Sequence, residues 1–455
     1  MEQQMSENRY VLDMSCGNIT QILLQFSVPL LVGNLFQQVY NVVDSIVVGR
    51  YLGSKALGAV GSVGMISFLF FSLCMGLSSG IGVIVSNCFG AKKEEEVKTA
   101  IANSIYVIVA VGILMSILGF IFSGPILHLM NTPSENFEYA KTYMQITCGL
   151  TIVVALYNGI SAILRALGDS RTPLIFLIVA SVINVILDFL FVIKMDMGVA
   201  GAAYATVISQ FVSAAGSTIF AILKNPYFKL EHRHFQQNRF IIKEYLRIGI
   251  PMSIQTAMIS VSCALLQTMI NGYGVNVMAA YTATGKVESI VFQPFASLST
   301  AVSTFASQNQ GANNYKRIKT AVIQAEIITA VISAFLLVAI LLFRANIISL
   351  FVDDPTVVEL GSKGLMIAGS MYFALGTIYI MRGALNGMGD VFFSMMNGAL
   401  EVGGRIVFAA IFIFLTSLGF WGVWYTNIFT WILIALCAVI RLWVVLKRQT
   451  DETVT

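Results

Sequence analysis

From Ile101 to Phe122 the chain runs for 22 residues without a charged side chain, and from Ile406 to Ile440 it does so for 35. A helix needs about 20 mostly apolar residues to cross a bilayer. The second run is too long for one crossing and breaks at the turn signal Ser417-Leu418-Gly419. Neither run shows the alternation of a transmembrane barrel. Only 11% of the 455 residues are charged and 57% are hydrophobic, against about 25% charged in soluble proteins. These features predict an all-α polytopic membrane protein. Twelve spans are expected, near residues 21–48, 57–88, 97–123, 138–164, 172–194, 198–223, 246–270, 277–308, 317–343, 359–387, 391–417 and 419–446.

Lys and Arg set the orientation of such a chain. Most fall on one side: Lys92, Lys93 and Lys98, the cluster from Lys224 to Arg247, Lys316, Arg317 and Lys319, and Arg441, Lys447 and Arg448. The other side holds few, among them Arg50, Lys55 and Lys194. The basic side is expected to be cytoplasmic, with both termini on it. Met1–Thr20 is polar and shows no signal-peptide core, so a cell (inner) membrane location is expected.

The chain repeats itself. A shift of 221 residues lays Gly90-Ala91 on Gly311-Ala312, Lys98-Thr99-Ala100 on Lys319-Thr320-Ala321, and Gly168-Asp169 on Gly389-Asp390. It also lays Gly198, Gly201 and Tyr204 on Gly419, Gly422 and Tyr425. Two six-span halves follow: 1–223, a linker 224–246 read as a solvated connector, and 247–455. An even number of spans gives both halves the same orientation. A route between halves related by an axis along the membrane normal points to transport by rocking, that is, alternating access.

The repeat separates scaffold from chemistry. Asp44 is the only acid between Asp13 and Glu94, and Gln37, Tyr40, Asn41 and Asp44 share one helical face. Asn184 and Asp188 form a second i, i+4 polar pair in an apolar span. Under the shift, Asn158, Asn184, Asp188 and Thr206 become Tyr379, Arg405, Ala409 and Asn427, and Asp44 becomes Leu265 or Leu266. The carboxylate group therefore belongs to the first half alone. An acid inside a span faces a cavity or a partner. Carboxylate, amide and hydroxyl oxygens suit a hard cation such as Na+, and the same carboxyls can carry H+ instead. A buried hydrogen-bonded cluster that only holds helices together is the alternative. The second half has Lys286, Glu288, Glu401 and Arg405. Glu401 and Arg405 suit a structural ion pair or a substrate contact, and Glu288 suits contact with a cationic substrate.

Gly76, Gly80 and Gly82 suit close helix packing, and Pro29, Pro251 and Pro294 lie within spans. The six cysteines form no CxxC pair and read as apolar fillers. His128, His232 and His234 lie near span ends or in a loop, which argues against a histidine relay. No phosphate-binding loop, metal-ligand spacing or nucleophile motif occurs, so no enzyme activity and no cofactor beyond the coupling ion are expected.

The sequence resembles the multidrug and toxic compound extrusion (MATE) transporters over nearly its whole length. The likeness rests on Pro29 with Gln37, Tyr40 and Asp44, on Arg165-Ala166-Leu167-Gly168-Asp169-Ser170-Arg171-Thr172-Pro173, and on Asn184-x-x-x-Asp188-x-x-Phe191. Gly198-x-x-Gly201-x-x-Tyr204, Gln293-Pro294 and Gln308-Asn309-Gln310-Gly311-Ala312 extend it. The resemblance implies a V-shaped pair of six-helix bundles, a monomer, that exports amphipathic and often cationic compounds against an inward H+ or Na+ gradient. The DinF-like branch implies a coupling site at Asp44, Asn158, Asn184, Asp188 and Thr206, with the Ala202 carbonyl as a further ligand. Members with acids on the seventh and tenth spans differ from this chain, whose tenth span has only Glu359 at its outer end. A lipid-linked oligosaccharide flippase of related architecture is the alternative, and a channel or receptor a further one. Arg405, read as the only arginine well inside a span, offers little of the basic lining such a flippase needs.

Overall fold

A computed structural model describes residues 11–130 and 132–452. Arg9 and the remaining terminal residues lie outside them. Fourteen helices follow in order: α1 Ile19–Val47, α2 Gly53–Gly90, α3 Glu94–Leu129, α4 Ser134–Gly149, α5 Thr151–Ala166, α6 Arg171–Asp188 and α7 Gly198–Lys224. The second series is α8 Arg239–Asn271, α9 Val275–Gly311, α10 Tyr315–Ser349, α11 Pro355–Gly369, α12 Tyr372–Gly387, α13 Val391–Ala409 and α14 Trp421–Glu452. No strand occurs among the described residues.

Nine of these segments are long and apolar enough to cross a membrane. The pairs α4–α5 and α11–α12, bent by 42° and 50°, each make one further span and bring the count to eleven. Helix α9, 37 residues long, is less apolar than these and lies where the sequence places its eighth span, 277–308. Large apolar side chains such as Phe120, Ile121, Phe335 and Leu342 stand exposed on these helices, as they do where lipid replaces water as solvent.

The chain forms two compact units. The first comprises residues up to Asp13 and Val32–Ser253, the second Met14–Leu31 and Ile254–Thr455. The sequence suggested a division in chain order, whereas here Met14–Leu31 groups with the second series and the first part of α8 with the first.

Inside the first unit, Leu77, Ile81, Val85, Ile101 and Tyr245 build the main core. Glycines let backbones meet there: a Cβ on Gly76 would collide with Ser253, and one on Gly80 would lie 2.7 Å from the Gly249 nitrogen. The expected packing role of these glycines is visible in that contact. Residues 224–246 are not the solvated connector that their charge suggested. Tyr227, Phe228 and His234 are buried. Asn103 Nδ2 donates to the His234 and Gln236 carbonyls, both at 3.2 Å, and Tyr106 Oη to the Phe235 carbonyl at 2.7 Å. The reason is amphipathy: Tyr227 and Phe228 join the core of the first unit, Tyr227 edge-on to Phe89, while Arg233, Phe235 and Phe240 stay exposed.

Inside the second unit, Phe295, Tyr372 and Trp431 centre one core cluster and Trp424 another. Its early segment is tied down by Gln308 and Asn309: the Met14 amide donates to Gln308 Oε1 at 2.8 Å, and Asn309 Nδ2 to the Met14 carbonyl at 3.1 Å.

The 221-residue repeat is a repeat of backbone geometry. Positive φ recurs at Gly53 and Gly274, Lys92 and Asn313, Gly168 and Gly389, and Gly198 and Gly419. A π-turn follows α6 at Phe189–Lys194 and α13 at Ala410–Leu415. Both units thus share these irregularities at matching positions, while the π-turn at Val48–Leu52 belongs to the first unit alone among the described residues.

Candidate functional site

Asp188 is the last residue of α6, where the helix widens into the Phe189–Lys194 π-turn. Such turns open the helical ladder and recur at functional positions. Asp44 sits near the end of α1, before a second π-turn at Val48–Leu52. The two π-turns pack together, and the two carboxyl groups lie close enough to interact electrostatically. Asp188 is fully buried and Asn184, one turn earlier on α6, is nearly so. Both Asp188 oxygens, both Asn184 amide atoms and Asp44 Oδ1 are buried without a hydrogen-bond donor or acceptor. Native interiors rarely leave polar atoms in this state.

Two carboxylates at this separation repel as a pair of anions. They attract when one proton or one monovalent cation lies between them. An oxygen-rich set of this kind can accept a small hard cation or a proton, and no permanent basic side chain pairs with either acid among the described residues.

The aromatic rim is larger than the sequence suggested. Tyr40 hydrogen-bonds Gln37 and lies close enough to both acids to feel their charge. Tyr143, from α4, does the same, and Tyr157 lies beside Tyr40. Tyr143 was missed because nothing in the short helix α4 marks its face; its signal, a tyrosine in an otherwise apolar patch, is common. The other expected residues divide. Thr206 Oγ1 donates to the Ala202 carbonyl at 3.1 Å, one turn back on α7. Asn158 Nδ2 donates to the Val154 carbonyl on its own helix at 2.9 Å. Asn41 is exposed, and its carbonyl accepts from Ser45 Oγ at 2.8 Å.

In the second unit, Glu401 and Arg405 form the expected ion pair, with Arg405 Nη2 3.1 Å from Glu401 Oε1. A second arginine joins it. Arg382, within the expected span 359–387 but not singled out from the sequence, places Nη2 2.8 Å from Glu401 Oε2 and donates from Nε to Asn397 Oδ1 at 2.7 Å. Arg405 is thus not alone inside the span. Its Nη1 donates to Cys263 Sγ at 3.1 Å, so this cysteine is a polar partner rather than an apolar filler. Glu288 lies within electrostatic range of Arg405, with Tyr281 and Tyr372 beside it. The structure gathers Glu288, Glu401 and Arg405 in the second unit and Asp44, Asn184 and Asp188 in the first.

The MatE family model matches residues 29–190 and again residues 251–411, one match for each repeat. The chain belongs to the MatE family. Among its relatives, the probable multidrug resistance protein YoeA of Bacillus subtilis is 31% identical over 407 residues, 88% of each chain. The probable multidrug resistance protein YpnP of the same organism is 31% identical over 380 residues, 83% of this chain and 84% of its own. The solved structure of a MOP superfamily transporter from Pyrococcus furiosus superposes with a TM-score of 0.91 at 22% identity, covering 96% of this chain and 98% of that one. The MatE fold, twelve membrane helices in two six-helix bundles, is the fold of this chain.

Proposed function

We propose that this MatE chain is a secondary active multidrug efflux transporter of the DinF-like arrangement. It exports amphipathic, often cationic, organic compounds by alternating access, driven by an inward proton or sodium gradient, and it is not an enzyme. It works in the cell membrane with both termini in the cytoplasm. The multidrug names of its B. subtilis relatives support the substrate class.

One observation carries the coupling assignment: Asp44 and Asp188 face each other with buried oxygens that no donor satisfies. A proton or Na+ arriving from outside reduces the pair from two negative charges to one and relieves the repulsion. Its release toward the cytoplasm restores two charges that a buried site tolerates poorly. Asn184 Oδ1, also without a partner, and the Thr206 hydroxyl are the neutral oxygens that would complete a sodium shell, together with the Ala202 carbonyl and Asn158. Tyr40 and Gln37 lie at the edge of the pair, where a bound organic cation would compete with the coupling ion for the same charge.

The test is uptake of ethidium into proteoliposomes under a proton gradient and, separately, a sodium gradient, with Asp44→Asn and Asp188→Asn alongside. Uptake driven by one gradient and abolished in both folded variants is the expected result. Undiminished uptake in both variants would sink the coupling assignment while leaving transport intact. No uptake under either gradient would remove the drug-export reading.

A further inference from the structure

A carboxyl group with no place in the site above lies within the second unit. Glu326 is on α10, about three turns in from Tyr315. The repeat puts Ile105 at the matching position of the first unit, so Glu326, like Asp44, breaks the repeat on one side only. Its Oε2 accepts from Thr377 Oγ1 of α12 at 2.9 Å, and its Oε1 is buried with no partner. Thr329 and Ser333 continue the same face of α10 at i+3 and i+7. Both are buried, at 0% and 6% exposure, and neither hydroxyl has a partner. Thr329 packs directly on Gly376, the residue before Thr377, so its orphaned hydroxyl lies at the same α10–α12 contact as the carboxyl.

Helix α10 packs against α9, α11, α12 and α14, and meets the start of α1 through the uncharged pair Thr20–Gln324. The charged groups on those elements are Lys286 and Glu288 on α9, Glu359 and Lys363 on α11, Arg382 on α12, and Arg441, Lys447, Arg448 and, at its far end, Asp451 and Glu452 on α14. None of them forms an ion pair with Glu326 among the described residues, and Thr377 is the side chain that hydrogen-bonds it. A membrane-buried carboxylate with one neutral donor and an orphaned oxygen is expensive to keep ionised. One carboxyl and a few hydroxyls are too few oxygens to strip and hold a sodium ion, but a proton needs only the carboxyl itself.

We propose that Glu326 is a second proton-binding site, in the second unit, independent of the Asp44–Asp188 pair. It binds one proton on its carboxylate to give the neutral acid and releases that proton in reverse. Thr377 orients the group, and the hydroxyls of Thr329 and Ser333 are the polar steps beside it.

Infrared difference spectroscopy of the reconstituted full chain, stepped in pH, tests the site with H+ itself as the probe. The D44N/D188N variant is expected to keep a carboxylic C=O band that appears on acidification. Adding Glu326→Gln is expected to remove one component of that band, and Glu326→Asp to return it. Thr377→Val, which deletes the hydrogen bond to Oε2 and leaves the acid in place, is expected to shift the band's frequency, so the site is read even if Glu326→Gln folds poorly. Superposable spectra with and without Glu326→Gln would overturn the proposal, as would a band that sodium at constant pH removes. Because the first pair is absent throughout, this result is independent of whether Asp44 and Asp188 couple transport.

Discussion

The two units build one backbone and load it with opposite chemistry. After α6 the first unit has Asp188 beside a π-turn, with Asn184 one turn earlier. After α13 the second unit has the same turn, but Ala409 replaces the acid and Arg405 the amide. At this position the first unit leaves carboxyl oxygens unsatisfied, which under the proposed function a mobile positive charge would satisfy. The second supplies a covalent one, the Arg405 guanidinium, and clamps it with Glu401. A site that must load and empty cannot also be satisfied by its own side chains. A site that is satisfied internally can serve as a fixed reference for the scaffold.

The sharpest way to break this contrast is at the acids. Asp188→Asn and Asp44→Asn should each lower gradient-driven ethidium uptake to the level of empty vesicles while leaving the thermal midpoint of the purified protein near that of the parent chain. Glu401→Gln should do the reverse. It strands Arg382 and Arg405 in a buried setting, at a cost of about 3–5 kcal/mol, visible as a large drop in thermal midpoint. If instead Asp188→Asn destabilised the fold and Glu401→Gln did not, the assignment of load-bearing and loading roles would be inverted.

Smaller effects sharpen the comparison. Gly76→Ala places a methyl against the Ser253 backbone and should cost roughly 1–3 kcal/mol. Gly285→Ala, in the second unit, meets nothing within 4 Å and should leave the midpoint unchanged. Tyr143→Phe removes a hydroxyl from the edge of the acid pair. Uptake should fall less than about tenfold, the scale of one hydrogen bond, with folding intact.

The smallest effect concerns Asp169 and its repeat partner Asp390. Asp390 Oδ2 is 2.7 Å from Arg441 Nε. Asp169 accepts from the backbone amides of Arg171 and Thr172, at 3.0 and 2.9 Å, instead of forming an ion pair, and its Oδ2 is buried without a hydrogen-bond partner. Burial holds the Asp169 carboxyl above its ordinary range, opposed by those amides. The raised folded value means that the neutral acid is favoured by folding. That contribution is fully present below the unfolded value of about 3.9 and is lost as pH rises through the folded one. Asp169→Asn keeps the cap acceptor and should change stability by less than about 1 kcal/mol. It should also flatten the midpoint's dependence on pH in the mildly acid range. A midpoint curve that keeps its slope would show that Asp169 does not titrate there.

By itself the sequence determined the helical membrane fold, the approximate position of its spans and the internal repeat, and it singled out the pair of acids. The reason is cost. An apolar run of span length has few other uses, and Asp44 and Asp188 stand out because an acid in such a run is penalised wherever nothing compensates it. What compensates or neighbours a group is a tertiary fact. Arg382 lies near the end of its span, where a long basic side chain ordinarily snorkels outward, and only the packing of α12 on α13 turns it toward Glu401. Glu326 lies close enough to the basic stretch Lys316–Lys319 to pass for a rim charge, until Thr377 is seen to hold it. Tyr143 becomes part of the acid site only when α4 packs beside α2 and α7. The charged stretch after α7 reads as solvated until Asn103 and Tyr106 supply its backbone partners. Periodicity and charge report what each helix requires of its surroundings. Only the packed helices decide which neighbour meets the requirement, and which carboxyls are left for a mobile ion.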